Sequence, residues 1–157
     1  MVHYRRANRQ YLAMPRRRIW QFVDSGEKLY VAFPMNDGYP HVSPVWFCVL
    51  NRRIYIRTQD YKVKARLANS GKACCALDDG TRYRELRGVI IWGRCRVVAE
   101  QGLMDRIERT MRMKYRKQQW TSSEMPARWV RERKAEKRAY IEIIPLRVSS
   151  WDNSRIR

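Results

Sequence analysis

The sequence predicts a small, mainly β domain, six antiparallel strands rolled into a barrel with helices at its periphery. Three observations carry this expectation. Six runs are rich in β-branched and aromatic residues. The first three are joined by turn sequences so short that only antiparallel neighbours can use them. An open sheet of that size would leave both edges exposed, which closure into a barrel removes. A length of 157 residues suits a single core. Its division is read as a basic N-terminal arm over 1–18 and one domain over 19–157.

Taken in order, residues 1–18 carry Arg5, Arg6, Arg9, Arg16, Arg17 and Arg18 without an acid, and Pro15 interrupts any helix there. IWQFVDSG then sets Ile19, Trp20, Phe22 and Val23 on one side of a short helix that Gly26 closes. KLYVAFPM, PHVSPVWFCVL and RRIYIRT read as strands one to three, separated by NDGYP, with its Asp37-Gly38 turn signal, and by NRR. In QDYKVKARLANSGK the period changes, with Val63, Arg66 and Leu67 at helical spacing, Asp60 as N-cap and Gly71 as the stop. ACCAL and RGVIIWGRCRVVAE are strands four and five across the turn DDGT, and Gly93 marks a bulge or a close backbone approach. Leu103, Ile107, Met111 and Tyr115 recur every fourth residue over 101–118, as on an amphipathic helix. A second, strongly basic helix is expected over 126–138. AYIEIIPL is the last strand, extended past Pro145 by RVSSW.

Composition narrows the function. Lys and Arg number 34 against 15 Asp and Glu, a net charge of +19, so anionic partners are implied. No apolar run approaches the roughly 18 residues of a membrane span, and the basic start has no apolar signal core, which reads as a soluble, cytoplasmic protein. Cys48, Cys74, Cys75 and Cys95 show no zinc spacing and are expected as reduced thiols, with no metal. Motifs for serine hydrolases, nucleotide-binding loops and zinc proteases are absent, and the histidines are His3 and His41 alone. A chain so poor in acid-base groups either binds something or takes its chemistry from a cofactor.

The stretch Ile54 to Lys72 is the most informative. A strand ends in Arg57 and Thr58, and a helix bearing Lys62, Lys64 and Arg66 follows, so hydroxyl, ammonium and guanidinium donors converge near a helix start, a setting suited to phosphate. The alternative is a solvated basic helix face.

The succession DGYPHVSPVWF, IYIRTQDYKVKARLANSGKACCAL, RELRGVIIWGRCRVV and IEIIPLRVSSWD resembles the pyridoxamine 5'-phosphate oxidase-like family, the flavin-binding split β-barrels, over residues 19–154. The resemblance implies a six-stranded split barrel that pairs as a homodimer with the cofactor in the groove between subunits. It implies Thr58 with Lys62 or Lys64 as phosphate ligands and Arg57 and Arg66 as further candidates. Ser43, Pro44, Val45 and Trp46 would line the flavin ring, and Trp151 would pack on the partner or the cofactor. His41 is read as a strand-surface residue. The ending PLRVSSWDNSRIR departs from the Arg-Leu-x-Pro of vitamin B6 oxidases and points to the general flavin or deazaflavin reductase branches. FMN is the expected cofactor, with the deazaflavin coenzyme F-420 as alternative, and the expected activity is hydride transfer to a small substrate. A binding protein for heme, a bilin or a polyanion is the competing class; a general acid would discriminate the enzyme from it, and the sequence offers only Tyr55, Tyr61 and Tyr83 as weak candidates. Ten cations over 112–138 form a basic surface. Nucleic acid is the lesser alternative as its partner, since no RNA- or DNA-reading motif accompanies it.

Overall fold

A computed structural model describes residues 2–5, 10–60, 62–118, 125–128 and 137–156 of the chain. Among the described residues eight strands form one sheet: β1 (His3–Arg5), β2 (Leu29–Pro34), β3 (Pro40–Val45), β4 (Phe47–Leu50), β5 (Arg53–Gln59), β6 (Lys72–Asp79), β7 (Arg87–Val97) and β8 (Arg138–Asp152). Helices α1 (Arg16–Ser25), α2 (Val63–Leu67) and α3 (Gln101–Lys114) accompany them. The ladder runs β3-β2-β6-β7-β8-β5-β4, antiparallel throughout, and β1 adds to β8 in parallel.

The six expected strands become eight for two reasons. PHVSPVWFCVL is not one strand but two, broken at Trp46: β3 pairs with β2, whereas β4 pairs with β5 at the other end of the ladder. A single residue therefore links the two ends of the sheet, which must curl until they meet. The eighth strand, β1, comes from the basic N-terminal segment, whose Leu12 and Met14 are buried against the barrel.

Alternation on each strand sorts side chains between an inner and an outer face. Leu29, Val31, Phe33, Phe47, Ile54, Ile56, Cys75, Val89, Ile91, Ile141, Ile143 and Val148 fill the inside. The predicted helix face of Ile19, Trp20, Phe22 and Val23 is the buried face of α1. That helix starts at Arg16 because Pro15, rather than breaking it, occupies the cap position where its missing N–H costs nothing. Gly26 ends α1 with ordinary dihedrals; it is glycine because a Cβ would collide with the Leu77 side chain. Gly71 ends the α2 region in the left-handed conformation, at φ +71. The N-cap of α2 is Lys62 instead of Asp60, whose backbone N–H donates to the carbonyl of Lys137.

Asn51 and Arg52 both have positive φ and form the two-residue turn between β4 and β5, the backbone twist that matches paired strands. Strand β8 passes straight through Pro145, where its register against β7 slips by one residue, so that Trp92 faces Arg147 and Gly93 faces Pro145. A Cβ on Gly93 would lie 2.6 Å from the Ile144 carbonyl oxygen. The helix expected over 126–138 lies largely outside the described residues. Among those described, no helix is long and apolar enough to cross a membrane.

Candidate functional site

Helix α3 divides the outer face of the sheet. Its Ile107, Met111 and Tyr115 pack on Cys48, Tyr55 and Tyr140, which covers the β4, β5 and early β8 side. The remainder, across β3, β2, β6, β7 and late β8, has no such cover among the described residues. Register sets its residues in rows: Val42, Ala32, Cys74, Trp92 and Arg147 in one, Pro44, Tyr30, Ala76, Ile90 and Ser149 in the next. Trp151 lies flat over Gly88, where no Cβ could fit. Val42 is 56% and Tyr30 47% exposed, and Cys74, Ile90, Trp92 and Trp151 are half-buried. The surface is apolar, aromatic and wide, the kind that marks a binding face.

Arg147 is a half-buried cation within this face, whereas Lys72 and Arg94, paired in the next row, are exposed. Its guanidinium stacks over the Trp92 ring at 4.0 Å, and its Nε is buried without a hydrogen-bond acceptor. The bulge put it there. In strict alternation with Ile141 and Ile143, Arg147 would point inward; the extra residue, Leu146, reverses the pattern. No sequence pattern announced that reversal.

The expected flavin-lining run is distributed over three environments. Ser43 and Val45 are paired with Val31 and Leu29 and so turn inward, Pro44 turns outward beside Tyr30, and Trp46 occupies the break between β3 and β4. Ser43 Oγ is buried and unbonded. Trp46 stacks on Tyr115, with ring centroids 4.6 Å apart and planes 6° from parallel. The Tyr115 hydroxyl accepts from the Phe47 N–H at 3.0 Å and lies 2.9 Å from the Glu27 carbonyl, which fixes the break. Beside it the Lys114 ammonium lies over the Phe47 ring at 3.8 Å, and burial lowers its pKa. This cluster eluded sequence reasoning because its members are 68 residues apart.

Around α2 the structure separates the phosphate candidates. Thr58 is buried on the inner side of β5 with Ile54 and Ile56. Lys62 and Lys64 flank the helix start; burial and then the neighbouring Lys62 charge lower the pKa of Lys64. Arg66 points elsewhere, into a cleft of about 700 Å³ walled by Pro34, Met35, Val63 and Leu67. Arg57 is not part of the group: it lies on the opposite face of β5 from Thr58, bound at 3.1 and 3.2 Å to Glu108 of α3.

Other acids are likewise engaged. Glu142, fully buried, accepts from Arg53 at 2.8 Å, Tyr55 at 2.8 Å and Arg96 at 2.6 Å. Burial pushes the Tyr55 hydroxyl up to about 12, and with its proton held by Glu142 it is a poor general acid. Tyr61 lies outside the described residues, and Tyr83 is exposed near the C-terminus. His41 is half-buried, opposite Phe33. All four cysteines are free thiols, raised above their ordinary pKa by burial.

With this geometry in view, comparisons with known proteins are informative. The family described as pyridoxamine 5'-phosphate oxidase matches residues 15–150. A conserved hypothetical protein of Mycobacterium tuberculosis has a similar structure, with a TM-score of 0.80 and 25% identity over 96% of this chain and 92% of that one. An FAD-binding protein of Mycobacterium smegmatis superposes with a TM-score of 0.66 at 17% identity, over 89% and 98% of the two chains. A flavocytochrome of Azotobacter vinelandii does so at 0.68 and 16%, over 93% and 71%. No curated protein matches the sequence.

Proposed function

Since the chain belongs to the pyridoxamine 5'-phosphate oxidase family of split barrels, we propose that it is a homodimeric flavin-dependent oxidoreductase that binds FMN at the edge of its uncovered sheet face. The observation that carries this reading is that face, with Arg147 in its midst holding an Nε for which the described residues offer no acceptor. A buried, unbonded donor costs about 1–3 kcal/mol, so it calls for a partner from outside the chain. A second subunit removes the apolar rows from water, and an aromatic ring with carbonyl groups suits the indole and guanidinium beside it.

The residues fit a flavin phosphate as well. Lys62 and Lys64 bring two ammonium groups close enough to repel, and a phosphate between them turns that repulsion into attraction. Bound flavin supplies hydride chemistry; the chain binds, orients and shields it from water. Pro44 and Tyr30 offer an apolar floor, and Trp151 a ring edge. The substrate is a small molecule.

A second reading is coenzyme F-420. The cleft carrying Arg66 adjoins α2 and could take a longer anionic tail. Against it, Arg57 and Arg87, which would extend the track, already bind Glu108 and Asp79. An absorption spectrum with titration by each cofactor decides: FMN binding with weak salt dependence supports the first reading, while binding of the deazaflavin alone, weakening steeply with salt, supports the second. A heme or bilin spectrum would overturn both.

A further inference from the structure

Helix α3 carries a second feature that the flavin site does not use. At about 100° per residue, Arg106, Arg109 and Arg112 share roughly 120° of its circumference. All three are exposed. Ile107, Met111 and Tyr115, on the opposite arc, are buried against the barrel. Arg116 and Lys117 continue the exposed positive surface just past the helix end.

The acids of this helix do little to neutralise that stripe. Glu108 is turned inward, held by Arg57, Arg138 at 2.8 Å and Tyr140 at 2.9 Å. Glu100, at the N-cap, binds Arg96. Asp105, exposed beside Arg106 and four residues before Arg109, is the one acid on this arc, and it accepts from Gln101 at 2.8 Å. The result is a row of three arginines whose positions on the helix rise about 4.5 Å from one to the next.

We propose that this face of α3 docks on the phosphate backbone of duplex DNA, without reading its sequence. Three observations favour that occupant. Guanidinium groups match phosphate in a two-pronged geometry that lysine lacks. The stripe offers no aromatic platform for stacking unpaired bases, which single strands use. Its large apolar residue is Met113 alone, 70% exposed, and the rest of the apolar face is buried in the barrel, so the helix has no apolar side to insert into a lipid surface. A duplex presents one charge per roughly 1.7 Å of axis, dense enough to meet every arginine of the row. The net charge of +19 would steer the encounter.

The test is fluorescence anisotropy of a labelled duplex of about 20 base pairs, titrated with the whole protein at several salt concentrations. The expected logarithmic salt slope is about −3 to −5, as for three to five phosphate contacts. In Arg106→Glu/Arg109→Glu/Arg112→Glu the affinity falls by at least about tenfold and the slope shrinks by about three. Arg106→Gln/Arg109→Gln/Arg112→Gln gives a smaller loss in the same direction. Arg17→Glu, which changes charge on α1, leaves binding within about twofold of the parent. Unchanged circular dichroism in each variant shows that the fold is intact. Equal affinity and slope in the triple variants, tighter binding of an unpaired strand, or binding to phosphatidylserine vesicles but not to the duplex would overturn the proposal. None of these readouts depends on flavin.

Discussion

At Glu142 a carboxylate with no solvent exposure is held by two arginines and a tyrosine on the outer side of the sheet. Burial pushes its pKa up, but the hydrogen bonds from Arg53, Tyr55 and Arg96 outweigh that and hold it below the usual carboxylate value. A depressed folded pKa means stability that is fully present above the ordinary carboxylate range and lost as the pH falls through the lowered value. Glu142→Gln is therefore expected to destabilise the protein by about 2 kcal/mol at neutral pH, the half-exposed arginines recovering some solvation. Its urea midpoint should also change less than the parent's on acidification through that range. An identical acid limb in both proteins would assign the pH dependence to other carboxylates. At the proposed phosphate site, Lys62→Ala and Lys64→Ala are each expected to weaken FMN binding by about 1.5–3 kcal/mol in a fluorescence titration. Arg57→Ala should leave FMN affinity unchanged, because that guanidinium serves Glu108.

Among the elements, the β7–β8 pair shows best what a sequence discloses. Strands β2, β5, β6, β7 and β8, the amphipathic face of α3, the stop at Gly71 and the anomaly at Gly93 were legible, because each follows from local spacing or from a backbone requirement. Strand β1, within the segment read as a basic arm, was not. Two further things were not. The break at Trp46 depends on which partner each half of an unbroken apolar run finds, a contact between distant strands. The outward turn of Arg147 depends on one extra residue at Leu146, which shifts the alternation without altering composition. The candidate site was legible to the same extent: Thr58, Lys62 and Lys64 were named from their spacing, of which Thr58 is buried on the inner side of β5, whereas the outer face with Tyr30, Trp92 and Arg147 was not named. Gly93→Ala tests the bulge. A Cβ meeting the Ile144 carbonyl oxygen at 2.6 Å forces β8 to shift, and a loss of about 1–3 kcal/mol in chemical denaturation is expected. A neutral outcome would mean that the two strands part easily there.

For the molecule as a whole, the division of the sheet's outer face is the organising fact. One half is sealed by α3; the other is left apolar, and it is there that we propose a second subunit and a flavin bind. Tyr30→Glu/Val42→Glu places charge on two exposed side chains of that face, where the monomer's fold should tolerate it; both dimer mass and flavin retention are expected to fall together. Loss of one without the other would separate the cofactor site from the subunit interface. The most direct measurement combines light scattering with absorbance on the purified protein after exposure to FMN and gel filtration. The account predicts a particle of twice the 19.0 kDa chain mass that carries a flavin spectrum near one flavin per chain. A 19.0 kDa species without flavin absorbance, even after incubation with excess FMN, would contradict it.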